Sequence, residues 1–130
     1  VQIGPHARSK GFRAIRFETL ASTNDEAMDL ARSGEPSGLW VLADEQTRGR
    51  GRHGRPWSSP RGNFHGSLLL VDPCAQRFAP QLGFVAGVSL LQALRALAPD
   101  APISLKWPND LLLAGAKLAG VLVEGASLPA

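Results

Sequence analysis

The sequence lacks the marks of several protein classes. Its 130 residues include one cysteine, Cys74, so no internal disulfide can form and no cysteine-based zinc module is available. That usage fits a reducing compartment, and the expected location is the cytoplasm. No apolar run approaches the roughly 18 residues of a membrane-spanning helix; the longest, Ser67-Leu68-Leu69-Leu70-Val71, is short. The opening residues Val1-Gln2-Ile3-Gly4-Pro5-His6 carry no signal-peptide core. There is no internal repeat and no linker that would split the chain. His6, His53 and His65 are not spaced as transition-metal ligands. No G-x-x-x-x-G-K-[ST] run is present, which excludes a P-loop. Secreted disulfide scaffolds, membrane proteins and collagen-like chains are excluded on the same grounds.

What is present suits one globular domain. The chain is 44% hydrophobic and 19% charged, enough apolar material for a core. The net charge is +3, but it is concentrated. Residues 45–61 hold Arg48, Arg50, Arg52, Arg55 and Arg61 against Glu45, a window of +4 that leaves the remainder at −1. A basic face spread over the fold would suggest a nucleic-acid binder. One basic loop on a near-neutral domain suggests an anionic ligand held at one place.

Periodicity and turn chemistry outline the elements. Arg13-Ala14-Ile15-Arg16-Phe17 alternates as a half-buried strand does. A helix starts near Ser22, Thr23 or Asn24, all good N-caps, with Asp25 and Glu26 in its first turn and Gly34 at its stop. Leu39–Ala43 and Leu68–Val71 are buried strands. Between them, Glu45–Asn63 carries Pro56, Pro60 and four glycines, so it cannot be a helix, and loops of that length are usually functional or disordered. Pro80–Leu97 is the longest predicted helix, its broad apolar face formed by Leu82, Val85, Ala86, Leu90, Ala93, Leu94 and Leu97. Ile103–Trp107 is a strand, Pro108-Asn109-Asp110 a turn, and Leu111–Leu113 leads through Ala114-Gly115-Ala116 into a strand over Lys117–Glu124. The expected fold is α+β, a mostly antiparallel mixed sheet with helices packed on one face.

Gly49-Arg50-Gly51-Arg52-His53-Gly54 matches G-x-G-x-x-G literally, yet Arg55-Pro56-Trp57 follows, so no helix opens there and a dinucleotide fingerprint is rejected. Alternate glycines let a backbone approach a ligand and aim N–H groups at it, and interleaved guanidiniums supply donors for phosphate or carboxylate. Mutual repulsion of five arginines predicts a loop that is mobile until an anion arrives; an exposed charged loop is the plain alternative. Lys106-Trp107-Pro108-Asn109-Asp110 suits phosphate and metal work, or is an ordinary turn. Lys117 opens the last strand, and Gly120 within it points to close approach by a ligand or another backbone. Ser22-Thr23-Asn24 is a helix cap or a polar ligand site, and Trp57 either stacks on a base or anchors the loop.

Taken in order, Ser22-Thr23-Asn24, Gln46-Thr47-Arg48-Gly49-Arg50-Gly51-Arg52-His53-Gly54-Arg55-Pro56-Trp57, Lys106-Trp107-Pro108-Asn109-Asp110 and Lys117-Leu118-Ala119-Gly120 resemble the catalytic domain of biotin protein ligases, from about residue 13 to Glu124. The resemblance implies a fold related to class II aminoacyl-tRNA synthetases and lipoate ligases. It implies activation of biotin by MgATP to biotinyl-5′-adenylate, then transfer to a lysine of a biotin carboxyl carrier domain of a carboxylase. By this match Ser22, Thr23, Asn24 and Gln46 line the biotin pocket, with Gly120 at its wall. Arg50, Gly51 and Arg52 close over biotin and the adenylate, Arg55 adds charge for the nucleotide, and Trp57 lies near the adenine. Lys106 and Asn109 face the phosphates, Asp110 the Mg²⁺, and Lys117 the biotin carboxylate and α-phosphate. Arg52, Lys106, Lys117 and Asp110 are the expected catalytic group. A homodimer is the expected assembly, with no specific DNA and no membrane as partner.

The chain departs from the family pattern in three ways. No helix-turn-helix precedes residue 13, which argues against the repressor form of the family. The chain stops at Ala130, before the family's Gly-Ile-Gly-x-Asn-type strand and small barrel domain, so the expectation is one catalytic domain over 1–130, truncated at its C-terminus. Phe64-His65-Gly66-Ser67 is smaller and more polar than the family's usual residues there. Competing readings are a lipoate- or octanoate-specific relative, a non-catalytic biotin-binding remnant, and, more distantly, a nucleic-acid binder.

Overall fold

In the computed structural model, residues 1–129 are described, and they form two compact units. The first comprises Val1–Pro73 and the segment from Glu124 on; the second is Cys74–Val123.

The N-terminal unit opens with a five-residue helix, α1 (Pro5–Ser9), which the sequence pattern did not reveal. Strand β1 (Arg13–Leu20) runs three residues beyond the predicted alternation. Helix α2 (Thr23–Arg32) starts where its cap residues place it: the Asp25 N–H donates to Ser22 Oγ at 3.3 Å, and Gly34 follows with φ 97°. Strand β2 (Leu39–Gln46) pairs parallel with β1, because α2 carries the chain back to the same end before β2 begins. Strand β3 (His65–Leu69) pairs antiparallel with β2, giving the order β1-β2-β3.

The predicted strand over Leu68–Val71 is therefore displaced towards the N-terminus and takes in His65 and Gly66. Gly66 is there for space: a Cβ would stand 2.8 Å from Leu42 Cδ2 and 2.7 Å from the Phe64 ring. Val71 lies past the strand, its N–H donating to Ser37 Oγ at 2.6 Å. Helix α2 covers β2 and β3. Ala27, Leu39, Val41 and Leu69 form the core, with Phe17, Leu20 and Leu30 packed around them. Full burial of an aliphatic side chain such as Val41 contributes roughly 1.5–3 kcal/mol.

In the second unit, short 3₁₀ turns over Gln76–Gln81 absorb Pro80, so α3 (Leu82–Leu97) begins two residues later than the sequence suggests. Its covered face also differs. Gly87 and Leu91 are the buried positions, flanked by Leu90 and Leu94, whereas Val85 and Leu97 are exposed. The helix is apolar nearly all round, so its composition alone does not choose a face. Gly87 lies against β4, where a Cβ would make ordinary contact with Leu105 Cδ2 at 3.5 Å.

Strands β4 (Ile103–Lys106), β5 (Asp110–Leu113) and β6 (Ala116–Gly120) form an antiparallel meander, with Leu91, Ile103 and Leu111 as the core. The β5–β6 turn has Ala114 at φ 50° and Gly115 at φ 84°, the paired left-handed residues that a two-residue hairpin needs. The last strand stops at Gly120 rather than Glu124. Asn109 ends the pairing by taking Val121 at both polar groups, its Nδ2 donating to the Val121 carbonyl at 2.8 Å and its own carbonyl accepting from the Val121 N–H at 2.9 Å. No helix among the described residues is long and apolar enough to cross a membrane.

Candidate functional site

In the N-terminal unit, the residues singled out near α2 and β2 join one hydrogen-bonded chain. Thr23, only 4% exposed, donates its backbone N–H to Gln46 Oε1 at 2.8 Å. Its hydroxyl lies 3.1 Å from the same oxygen and 2.7 Å from Ser67 Oγ. Ser67 donates to Asn24 Oδ1, and Asn24 Nδ2 donates to Glu124 Oε1 at 2.8 Å. On the other side, Gln46 Nε2 donates to Ser59 Oγ at 3.0 Å. Gly49 fits against this end by close approach: a Cβ would meet Ser59 Oγ at 2.5 Å and the Trp57 carbonyl at 2.6 Å. The geometry follows from local structure. The N-terminus of α2 sets Ser22, Thr23 and Asn24, β2 ends at Gln46, and the inward face of β3 presents Ser67.

The glycine–arginine loop is built on backbone bonds. The Trp57 N–H donates to the Gly49 carbonyl at 2.8 Å and the Gly51 N–H to the Arg55 carbonyl at 2.7 Å. The expectation that Gly51 aims its N–H at a ligand is thus corrected: that donor is spent inside the loop. Two of the five arginines, Arg50 and Arg61, are held by acids. Arg50 donates from Nη2 to Asp25 Oδ1 at 2.7 Å and to Glu124 Oε1 at 2.7 Å, and from Nε to Glu124 Oε2 at 3.1 Å. Arg61 lies 3.5 Å from Asp44 Oδ2. Arg48, Arg52 and Arg55 are exposed and have no acidic partner among the described residues. The Arg50 hydrogen bond holds the Asp25 carboxyl below its ordinary value, and Asp25 and Glu124 raise the Arg50 guanidinium further above its own.

The second unit carries the other predicted cluster. Lys117 Nζ lies 3.0 Å from Asp110 Oδ1, an oxygen with almost no solvent exposure. Gly120 is paired with Asp110 across the sheet and lies beside this ion pair, where a Cβ would make only ordinary contact with Lys117 Nζ at 3.6 Å. Lys106 is exposed and makes no side-chain hydrogen bond or ion pair among the described residues. Asn109 has its amide nitrogen committed to Val121. Lys106, Asn109 and Asp110 border a groove of about 220 Å³ that also has Phe84, Val88 and Trp107 in its wall. Among the described residues no three His, Cys, Asp or Glu side chains gather as a metal would need. Lys117 neutralises Asp110 at Oδ1, so this single carboxylate does not by itself build a resident Mg²⁺ site among the described residues.

Sequence reasoning therefore named Gln46, Thr23 and Asn24 and missed the link between them and both ends of the polar chain. Ser67, Ser59, Glu124 and the Asp25 contact were not singled out. The one available signal was Ser67, a polar residue in phase with buried His65 and Leu69 on β3. Trp57 anchors the loop through its main chain while its ring stays 39% exposed.

The sequence model of the biotin/lipoate A/B protein ligase family matches residues 17–127. The chain is 50% identical over 106 residues to biotin--[acetyl-CoA-carboxylase] ligase of Paracoccus denitrificans, covering 81% of this chain and 44% of that protein. Biotin protein ligase from Leishmania major, solved in complex with biotinyl-5-AMP, superposes with a TM-score of 0.75 at 28% identity, covering 88% of this chain and 52% of that one. Biotin protein ligase from Aquifex aeolicus, in complex with biotin and ATP, gives 0.73 at 35% identity over 85% of this chain and 45% of that one. The chain thus spans less than half the length of the curated relative.

Proposed function

Because the chain belongs to the biotin/lipoate A/B protein ligase family, we propose that it carries the biotin-activating machinery of a biotin protein ligase. The observation that carries this reading is the buried chain through Gln46, Thr23, Ser67 and Asn24, next in sequence to a loop whose Arg52 and Arg55 have no acid of their own. A cyclic urea needs fixed donors and acceptors in a dry wall, and the acid and triphosphate need uncommitted positive charge. The Leishmania and Aquifex ligases hold that product and those substrates.

In the first step a biotin carboxylate oxygen attacks the α-phosphorus of ATP; the new C–O–P link forms as the bond to pyrophosphate breaks. A carboxylate with a pKa near 4–5 is already ionised at neutral pH, so no general base is needed. Positioning and charge neutralisation carry the barrier. Ser22, Thr23, Asn24 and Gln46 hold the ureido ring. Arg50, Gly51 and Arg52 cover biotin and the adenylate, and Arg55 and Trp57 serve the nucleotide. Lys106 and Asn109 face phosphate. Lys117, oriented by Asp110, meets the biotin carboxylate and α-phosphate. Mg²⁺ would be held chiefly by the nucleotide phosphates, with Asp110 the nearest carboxylate of the cluster, and would supply charge neutralisation there.

In the second step the neutral amine of an acceptor lysine attacks the acyl carbon, AMP leaves, and the amine proton passes to solvent or a carboxylate. Lys106 or Lys117 favours the neutral amine by like-charge repulsion, with Asp110 as the candidate proton acceptor. The acceptor is a lysine of a biotin carboxyl carrier domain, and a homodimer in the cytoplasm completes the reading.

Pyrophosphate release from MgATP tests it. Release that depends on biotin, and that lipoate does not replace, is the expected result. Biotin binding without release would leave a binding module, and a preference for lipoate or octanoate would move the chain to another branch of the family.

A further inference from the structure

Glu124 is the acidic group at which the two halves of the N-terminal polar system meet. Its Oε1 accepts from Asn24 Nδ2 at 2.8 Å and from Arg50 Nη2 at 2.7 Å, and its Oε2 accepts from Arg50 Nε at 3.1 Å. An ionised carboxylate only accepts, whereas a carboxamide has one accepting and one donating end. The end of Asn24 that faces Glu124 must therefore be the NH₂, which turns Oδ1 towards Ser67. Ser67 has a single hydroxyl proton and donates it to that Oδ1. Its contact with Thr23 Oγ1 at 2.7 Å must then run the other way: Thr23 gives its one hydroxyl proton to the nearer Ser67, and Gln46 Oε1, 3.1 Å from that hydroxyl, keeps the Thr23 N–H as its donor.

Every bond from Thr23 to Ser67 to Asn24 to Glu124 points in one direction, and the carboxylate at the end sets it. We propose that Glu124 is a positioning residue, fixing the hydrogen-bond polarity of the Asn24–Ser67–Thr23 wall and holding Arg50 beside it. This rests on the reading of that wall as the ureido cradle. A cyclic urea offers two N–H donors and one carbonyl acceptor in a set pattern, so a wall able to reverse its donors and acceptors would lose the match. Glu124 acts as a positioning group through Asn24, while its bonds from Arg50 hold the carboxylate itself in place.

Calorimetric biotin binding to the full chain, its Glu124→Gln and Ser67→Ala variants and the double variant tests the assignment. Gln keeps the shape of Glu but presents either end to Asn24. We expect Glu124→Gln to weaken biotin at least about tenfold, the scale of a charged hydrogen bond, with ATP affinity changed no more than about threefold. In the Ser67→Ala background the same change should cost under about threefold, because the link it acts through is gone. Unchanged biotin binding in Glu124→Gln overturns the proposal. So do a parallel loss of biotin and ATP and full additivity with Ser67→Ala, since both mark a general structural role. Absence of biotin binding by the unaltered chain would instead sink the cradle reading, and this proposal with it. If Glu124→Gln does not fold, the unaltered protein still decides. The side-chain amide protons of Asn24 must exchange more slowly than those of exposed Asn63, and equal rates overturn the assignment.

Discussion

The two units bury different chemistry. In the N-terminal unit the buried set includes Ser22, Thr23, Ser59, His65 and Ser67. Each has a hydrogen-bond partner, His65 through Nδ1 against the Ala43 carbonyl at 3.3 Å. In the second unit the buried residues are Gly87, Leu91, Ile103 and Leu111, all apolar. Buried polar atoms cost stability unless paired. The first unit carries five in a small volume, each paired, and two of them, Thr23 and Ser67, belong to the directed chain that ends at Glu124. The second unit instead has a conventional apolar core, with Lys117, Asp110 and Lys106 at its sheet ends. On the proposed function, the first unit supplies specificity, and the second unit and the arginine loop supply charge.

Four changes would sharpen or break that contrast. The largest effect should come from Leu111→Ala, which empties a position with no solvent exposure and should cost about 2–5 kcal/mol of stability; a chemical melt giving under about 1 kcal/mol would mean that the second unit has no real core. Gly49→Ala should cost about 1–3 kcal/mol, because its methyl would press on Ser59 Oγ and the Trp57 carbonyl, and it should also weaken biotin. Wild-type affinity in that variant would show that the loop end does not shape the cradle.

Acid should produce a smaller effect. Asp25 has its pKa depressed chiefly by its Arg50 hydrogen bond, so the stability it contributes is full above the ordinary value near 3.9 and is lost as pH falls through the depressed one. The pair is half exposed, so the amount is under about 1 kcal/mol. Arg50→Ala should therefore flatten the acid limb of the stability profile below about pH 4, and an unaltered limb would count against the pairing. The smallest effect belongs to Lys106→Ala, within about 0.5 kcal/mol in melting because its side chain is exposed and unpaired among the described residues, yet with slower pyrophosphate release.

Much of this was legible in the sequence where the cause is local. Ser22, the acids after it and Gly34 fix both ends of α2, and Ala114-Gly115 fixes the β5–β6 turn. The glycine–arginine loop and the Lys-Trp-Pro-Asn-Asp run stood out because their residue types are unusual together. What stayed hidden depends on contacts distant in sequence. The parallel pairing of β1 with β2 and the face α3 covers are set by packing. Ser67 meets Thr23 across 44 residues, and Glu124 meets Arg50 across 74. Nothing local marks Glu124 as different from any acid at the end of a strand.

The most direct test of the central claim sets two arginines of one loop against each other. Arg52 has no acidic partner among the described residues, whereas Arg61 lies against Asp44 and Glu45. In a single-turnover assay of biotinyl-adenylate formation, Arg52→Ala should lose about a hundredfold or more, while Arg61→Ala stays within about twofold and both melt as the unaltered chain does. Equal losses in the two variants, or adenylate yield untouched by Arg52→Ala, would contradict the account.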